Sequence, residues 1–200
     1  MGRWEPGARG RLLEAALELY EERGFEGTTT AEIAERAGVT ERTFFRHFAD
    51  KREVLFDGSA DLEGTLAEAV ASAPPGTAPL DAVGDAFAAL DAFFEERRAF
   101  SLRRAAVVAA APRLQERELL KLASMRDSLA AALRGRGLAE PAASMVAEAG
   151  IGAFRIGFEA WVAAAEPRPP LADCVRQALD ALREHGLSGR PVRIGTGPHG

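Results

Sequence analysis

The stretch from Thr40 to Lys51 concentrates side chains able to recognise a polyanion. Arg42 and Arg46 are spaced so that on a helix they share one face. Each guanidinium can make paired hydrogen bonds to a guanine edge. Thr43 offers a methyl group to thymine, and Thr40 and His47 are short polar neighbours suited to phosphate and base edges. Lys51 falls at the expected start of the next helix, where its ammonium and the positive helix end would both face a phosphate.

No other chemistry has a comparable signal. The three histidines, His47, His185 and His199, lie far apart. No Glu-x-x-His pair supports a di-iron bundle, no glycine-rich loop suits a phosphate, and no Ser or Cys sits in a nucleophile signature. Cys174 is the single cysteine and lies in an apolar periodic stretch, so it reads as a small buried hydrophobe and no internal disulfide is possible. No catalytic residue, metal or cofactor is expected, and the chain reads as a non-enzyme.

Composition sets the frame. The 200 residues are 47% hydrophobic and 28% charged, ordinary for a globular protein. The net charge of −5 argues against a protein that coats nucleic acid non-specifically, but not against a focused binder. The N-terminus lacks an apolar signal core and no apolar run is long enough to span a bilayer, so a cytoplasmic, membrane-free protein is expected.

The elements that must position the polar stretch follow from periodicity. Leu13, Ala16, Leu17 and Tyr20 give a first helix over Arg9–Arg23, stopped at Gly24. Thr28 to Thr30 can cap a second, with Ile33, Ala34 and Ala37 inward and Gly38 at its end. Thr40 caps a third, Glu41 to Phe48. Asp50 and Glu53 suggest a capping box for a fourth helix carrying Val54, Leu55 and Leu62. Two short helices around a tight Gly38 turn form a helix-turn-helix, in which the second helix enters the major groove.

After Pro74-Pro75-Gly76, further helices are expected over Leu80–Arg98, Phe100–Ala111, Pro112–Arg134, Pro141–Ala165 and Leu171–His185. The fold class is therefore all-α, about nine helices without a strand: an N-terminal three-helix domain over residues 1–52 and a helical bundle over 53–187. Residues 188–200, rich in Gly and Pro, are expected to be a disordered tail.

The run TTTAEIAERAGVTERTFFRHFADKREVL, Thr28 to Leu55, closely resembles the DNA-binding signature of TetR/AcrR-type transcriptional regulators. The resemblance is carried by the threonines before the first motif helix, the IAERAGV core, the V-T-x-x-T-x-F-x-x-F run and the Lys three residues after Phe48. It covers about a quarter of the chain. It implies a homodimeric regulator, typically a repressor, that binds a near-palindromic DNA operator and answers to a small-molecule effector of unknown identity. Thr30 would reach a phosphate, Thr40, Arg42 and Arg46 would face the groove, and His47 and Lys51 would touch the backbone. Phe45 stands where such regulators usually carry a phosphate-contacting Tyr, so one expected bond is missing, although the ring can still pack on sugar or a thymine methyl.

The same resemblance implies that the bundle encloses an effector cavity and dimerises through its last two helices. Phe87, Leu90, Phe94, Val107, Met125, Phe154 and Trp161 are the candidate cavity lining, against the plainer reading that they are core. Arg103, Arg104 and Arg155 are the charges that could point into such a cavity and favour an anionic ligand. Ile151, Phe158, Val162, Val175, Leu179 and Leu182 are candidates for the dimer interface. Effector binding would favour a state with the wrong head spacing, transmitted through the helix starting at Lys51. Two other readings stay open: a helical sequestering protein with a degenerate head, and an enzyme on a helical bundle.

Overall fold

The computed structural model describes residues 7–186, so the expected tail over 188–200 lies outside the described residues. Among the described residues the chain is all-helical. The order is α1 (Ala8–Arg23), α2 (Thr30–Arg36), α3 (Glu41–His47), a 3-10 turn (Glu53–Phe56), α4 (Ser59–Ser72), α5 (Pro79–Ala88), α6 (Asp91–Glu96), α7 (Arg98–Ala110), α8 (Pro112–Gly135), α9 (Ala142–Ala163) and α10 (Leu171–Gly186). The all-α expectation holds, and the additional segments come mainly from dividing the stretch expected as one helix over Leu80–Arg98. No proline marks that division. It lets the Asp91 carboxylate accept the backbone N–H of Ala172 at 3.0 Å, in the first turn of α10.

The helix expected from Lys51 onward is corrected. Asp50 Oδ1 does accept the N–H groups of Arg52 (2.7 Å) and Glu53 (3.2 Å), as a cap would. Glu53 does not bond back; its carboxylate turns outward to Arg117 and Lys121 of α8. Only the single 3-10 turn results, and Gly58, at φ 78°, resets the chain direction before α4. Val54 and Leu55 thus stay with the N-terminal core, whereas Leu62 packs on the second.

Two cores result. The first gathers Leu12, Leu17, Tyr20, Ile33, Phe44 and Val54–Phe56, and it also takes in Val107, Val108, Ala111 and Leu114 from the α7–α8 corner. Phe44 is fully buried and contributes ~1.5–3 kcal/mol by leaving water. The second core lies among α4, α5, α8, α9 and α10, around Leu66, Val83, Leu129, Leu133 and Trp161. There α9 and α10 approach almost backbone to backbone: a Cβ on Gly157 would sit 2.7 Å from the Val175 nitrogen.

Candidate nucleic-acid interface and adjoining cavity

Helix α2 starts with a capping box. Thr29 Oγ1 accepts the Glu32 N–H, and the Glu32 carboxylate accepts the Thr29 N–H at 2.8 Å. Gly38, at φ 67°, makes the turn that a residue with a Cβ would resist, and Val39 N–H returns to the Ala34 carbonyl at 2.9 Å. Thr40 caps α3 by accepting the Thr43 N–H at 3.2 Å. Phe44 points into the core, which leaves Thr40, Arg42, Phe45 and Arg46 exposed and Thr43 and His47 half-buried.

The charge balance is more selective than a residue count suggests. Arg23 pairs with Glu32, Arg36 with Glu18 and Glu22, and Arg52 with Asp50. Arg9 pairs with Asp57, and Arg11 donates to the Ala37 carbonyl. Arg42 and Arg46 alone among the described arginines of this head are exposed without a partner. Phe45 stands 54% exposed between them, edge-on to Phe44.

Three expected contacts look different in three dimensions. The Thr30 hydroxyl donates to Glu41 Oε1 at 2.5 Å, tying α2 to α3. His47 Nε2 is buried with no partner among the described residues. Lys51 starts no helix. Its ammonium donates to the Phe25 carbonyl (2.7 Å) and the Thr28 carbonyl (2.8 Å), 4.3 Å from the centre of the Phe25 ring. Two of its three protons are therefore engaged in closing the head. The Tyr20 hydroxyl completes this closure by donating to the Lys51 carbonyl at 2.6 Å. Burial, with Asp50 nearby, pushes the Tyr20 phenol well above its ordinary range, so it stays a neutral donor.

A cavity of about 360 Å³ opens between this head and the bundle, within the size range of small-molecule sites. Of the residues expected to line it, Leu90, Phe94, Met125 and Phe154 do. Phe87, Val107 and Trp161 do not. Phe87 stacks behind Phe154, with ring centres 4.9 Å apart. Val107 faces the first core, and Trp161 sits fully buried behind Phe94 and Phe158. The side toward the head, formed by Leu55, Phe56 and Asp57, was not anticipated. Arg104 and Arg155 line the cavity, whereas Arg103 reaches back across α1 to Glu14 and Glu21.

Three of the six residues expected at a dimer interface lie inside the chain instead. Ile151, Val175 and Leu179 are buried in the second core, and Phe158 lines the cavity. Val162 is half-buried against the same core; Leu182 remains at the surface. Val175 and Leu179 of the α10 stripe are received within the chain, by Gly157 of α9 and Gly84 of α5 at close approach. The exposed apolar side chains of α9 are instead Met145 (68%) and Ile156 (55%). They belong to a stripe with Ala149, Gly152, Ala160 and Ala163, a spacing that places all six on one face.

A helix-turn-helix head on an all-helical bundle with a cavity at their junction defines a class of regulator. Residues 12–57 match the bacterial regulatory proteins of the tetR family, and residues 77–187 match the MftR C-terminal domain of that group. The second match takes in more than half of the chain, and the chain belongs to the TetR family of bacterial regulatory proteins. It is 42% identical over 82 residues to the transcriptional regulator TcmR of Streptomyces glaucescens, covering 41% of this chain and 36% of TcmR. The chain thus spans about a third of the length of that curated relative. The structure resembles Thermus thermophilus FadR, a TetR-family transcriptional repressor solved with lauroyl-CoA. The TM-score is 0.56 and the identity 27%, over 96% of this chain and all of that one. A transcriptional regulator from Rhodococcus sp. is similar at 26% identity and a TM-score of 0.51, over 89% of this chain and 97% of that one. Among the described residues no helix is long and apolar enough to cross a membrane, and no cluster of His, Cys, Asp or Glu could hold a metal ion.

Proposed function

We propose that this chain is a sequence-specific repressor that grips a near-palindromic operator as a homodimer and lets go when an amphipathic anion fills its cavity. The observation that carries the DNA reading is the pair of unpartnered arginines on α3. Every other described arginine of the head is engaged within the chain, while Arg42 and Arg46 stand free one turn apart beside Thr43 and Phe45. That arrangement suits bidentate contacts to guanine, flanked by apolar contact to thymine or sugar. Thr40 and the third Lys51 proton flank them toward phosphates, and Thr30 and His47 would join only by leaving the positions they hold in the free chain, Thr30 bonded to Glu41 and His47 with Nε2 buried.

The second copy docks on the α9 stripe of Met145 and Ile156. The small residues between them let two helices approach closely. Two heads with so few free cations bind far better together than singly, which makes the dimer part of recognition. The effector has an apolar body, because Leu90, Phe94, Met125 and Phe154 form much of the wall, and an anionic end, because Arg97, Arg104, Lys121 and Arg155 outnumber the carboxylates Asp57, Glu118 and Glu159 in the same lining. Binding of lauroyl-CoA by the FadR relative supports an acyl thioester as that class. The protein works beside the chromosome, in the cytoplasm.

The test is selection of bound duplexes from a random pool by the purified full chain, followed by titration with lauroyl-CoA. A palindromic consensus whose binding lauroyl-CoA weakens is the expected result. Recovery of no consensus overturns the operator reading, and an enriched site indifferent to lauroyl-CoA overturns the effector class.

A further inference from the structure

The cavity reaches beyond the second core. Leu55 and Phe56 belong to the buried core of the head, and both line the cavity. An occupant therefore touches the head directly.

Arg104 of α7 joins the two. Its Nε donates to the Leu55 carbonyl at 2.7 Å, one terminal nitrogen donates to Glu118 Oε1 at 2.9 Å, and the guanidinium carbon lies 4.7 Å from the centre of the Phe56 ring. The side chain is largely buried, at 18% exposure, and lines the cavity. The other cavity cations are placed differently. Arg97 lies over Phe93 at the rim, Arg155 is exposed, and Lys121 is held by Glu53. Arg104 is the cavity cation that holds a backbone carbonyl of the 3-10 turn.

We propose that Arg104 is the positioning residue that couples the cavity to the DNA-binding head, by exchanging Glu118 and the Leu55 carbonyl for the anionic end of an effector. This rests on the reading that the cavity takes an amphipathic anion. The exchange is charge for charge. Glu118, more exposed than Arg104, returns to water when displaced. Two of the five N–H groups of a guanidinium are engaged, so donors remain for an incoming carboxylate or phosphate. A buried carbonyl deprived of its donor destabilises the turn that carries it. The turn is continuous with Asp57, which holds Arg9 of α1, so loosening it loosens the seat of the head. The effector acts because it binds the loosened state better than the clamped one.

The experiment measures binding of lauroyl-CoA and of laurate by calorimetry to the full chain, alongside amide hydrogen exchange across residues 53–57. Arg104→Gln weakens binding about tenfold or more, as loss of a charge-assisted contact does. Glu118→Gln strengthens it several-fold, roughly the gain from removing a competing carboxylate, and the double variant keeps none of that gain. In the wild type either probe speeds exchange at residues 53–57; in Arg104→Gln exchange there is already fast and the probes add nothing. Glu118 lines the cavity itself, so its gain supports the exchange only if the double variant loses it; a gain that survives in the double variant overturns the proposal. If Arg104→Gln does not fold, Arg104→Lys takes its place in the cycle, and unchanged or weaker binding in Glu118→Gln overturns the proposal. Wild-type binding with no change in exchange at 53–57 overturns the coupling and leaves the effector reading standing. Absence of saturable binding of both probes to the wild type overturns the two together.

Discussion

The arginines of α3 and those of the joint between head and bundle are the same residue in opposite states. Arg42 and Arg46 stand in solvent with no internal partner. Arg103, Arg104 and Arg117 are each tied across an element boundary, to Glu14 and Glu21, to Glu118 and the Leu55 carbonyl, and to Glu53. Counting charge cannot separate the sets, since the sequence is acidic as a whole. Partnering does. Free guanidiniums keep their donors for an outside polyanion, and tied ones hold the head on the bundle.

The sharpest way to break this comparison is Arg46→Ala. Loss of a base-reading guanidinium weakens specific operator binding by ~1–3 kcal/mol per contact, read as about a ten- to hundred-fold rise in Kd, with the melting temperature nearly unchanged. An operator affinity equal to wild type would place Arg46 outside the contact set. Phe45→Tyr asks the converse question, since it adds a hydroxyl to the exposed face of α3. A new phosphate bond would tighten binding by ~0.5–1.5 kcal/mol. A hydroxyl carries no charge, so the slope of affinity against salt should stay as it was. Unchanged affinity would mean the ring does not lie against the backbone.

Arg103→Ala addresses the tied set. Its two ion pairs are partly exposed, so they contribute ~0–1 kcal/mol each. A melting temperature lower by a few degrees at most is expected, with the operator consensus intact. A changed consensus would make Arg103 a reader rather than a strut. The smallest effect is with pH. The hydrogen bond from Arg103 holds the Glu21 carboxyl below its ordinary range. Burial pushes the Glu53 carboxyl up, but Arg117 and Lys121 outweigh that and hold it below the ordinary range too. Both are more acidic folded than unfolded, so the unfolded chain takes up protons first. Their stabilisation is complete above the ordinary carboxylate range, near pH 4.5, and fades as pH falls through the folded values. In Arg103→Ala the Glu21 share of that acid sensitivity disappears, and melts across pH 3–6 would show whether it does.

The head was legible in the sequence because local chemistry decides it: Thr caps, Gly38 in the turn and a tight alternation of apolar residues around α3. The joint was not. Asp50 and Glu53 spell a capping box, yet distant Arg117 and Lys121 draw Glu53 away and the expected helix shrinks to one turn. Val175 and Leu179 look like an interface stripe by periodicity, but glycines in two other helices receive them: Gly157 in α9 and Gly84 in α5. Of the cavity, Leu90, Phe94, Met125 and Phe154 were readable as bulky bundle residues. The Leu55–Asp57 side was hidden because those residues serve the first core as well.

That first core also draws Val107, Val108, Ala111 and Leu114 from the α7–α8 corner, some fifty residues further along the chain. The head is therefore not a portable reader. Cut after Asp57 and moved to another scaffold, it would leave behind one side of its own interior, and a graft would have to carry the α7–α8 corner with it. Under the proposed function, operator specificity is thus inherited together with the bundle, and the two halves must change in step.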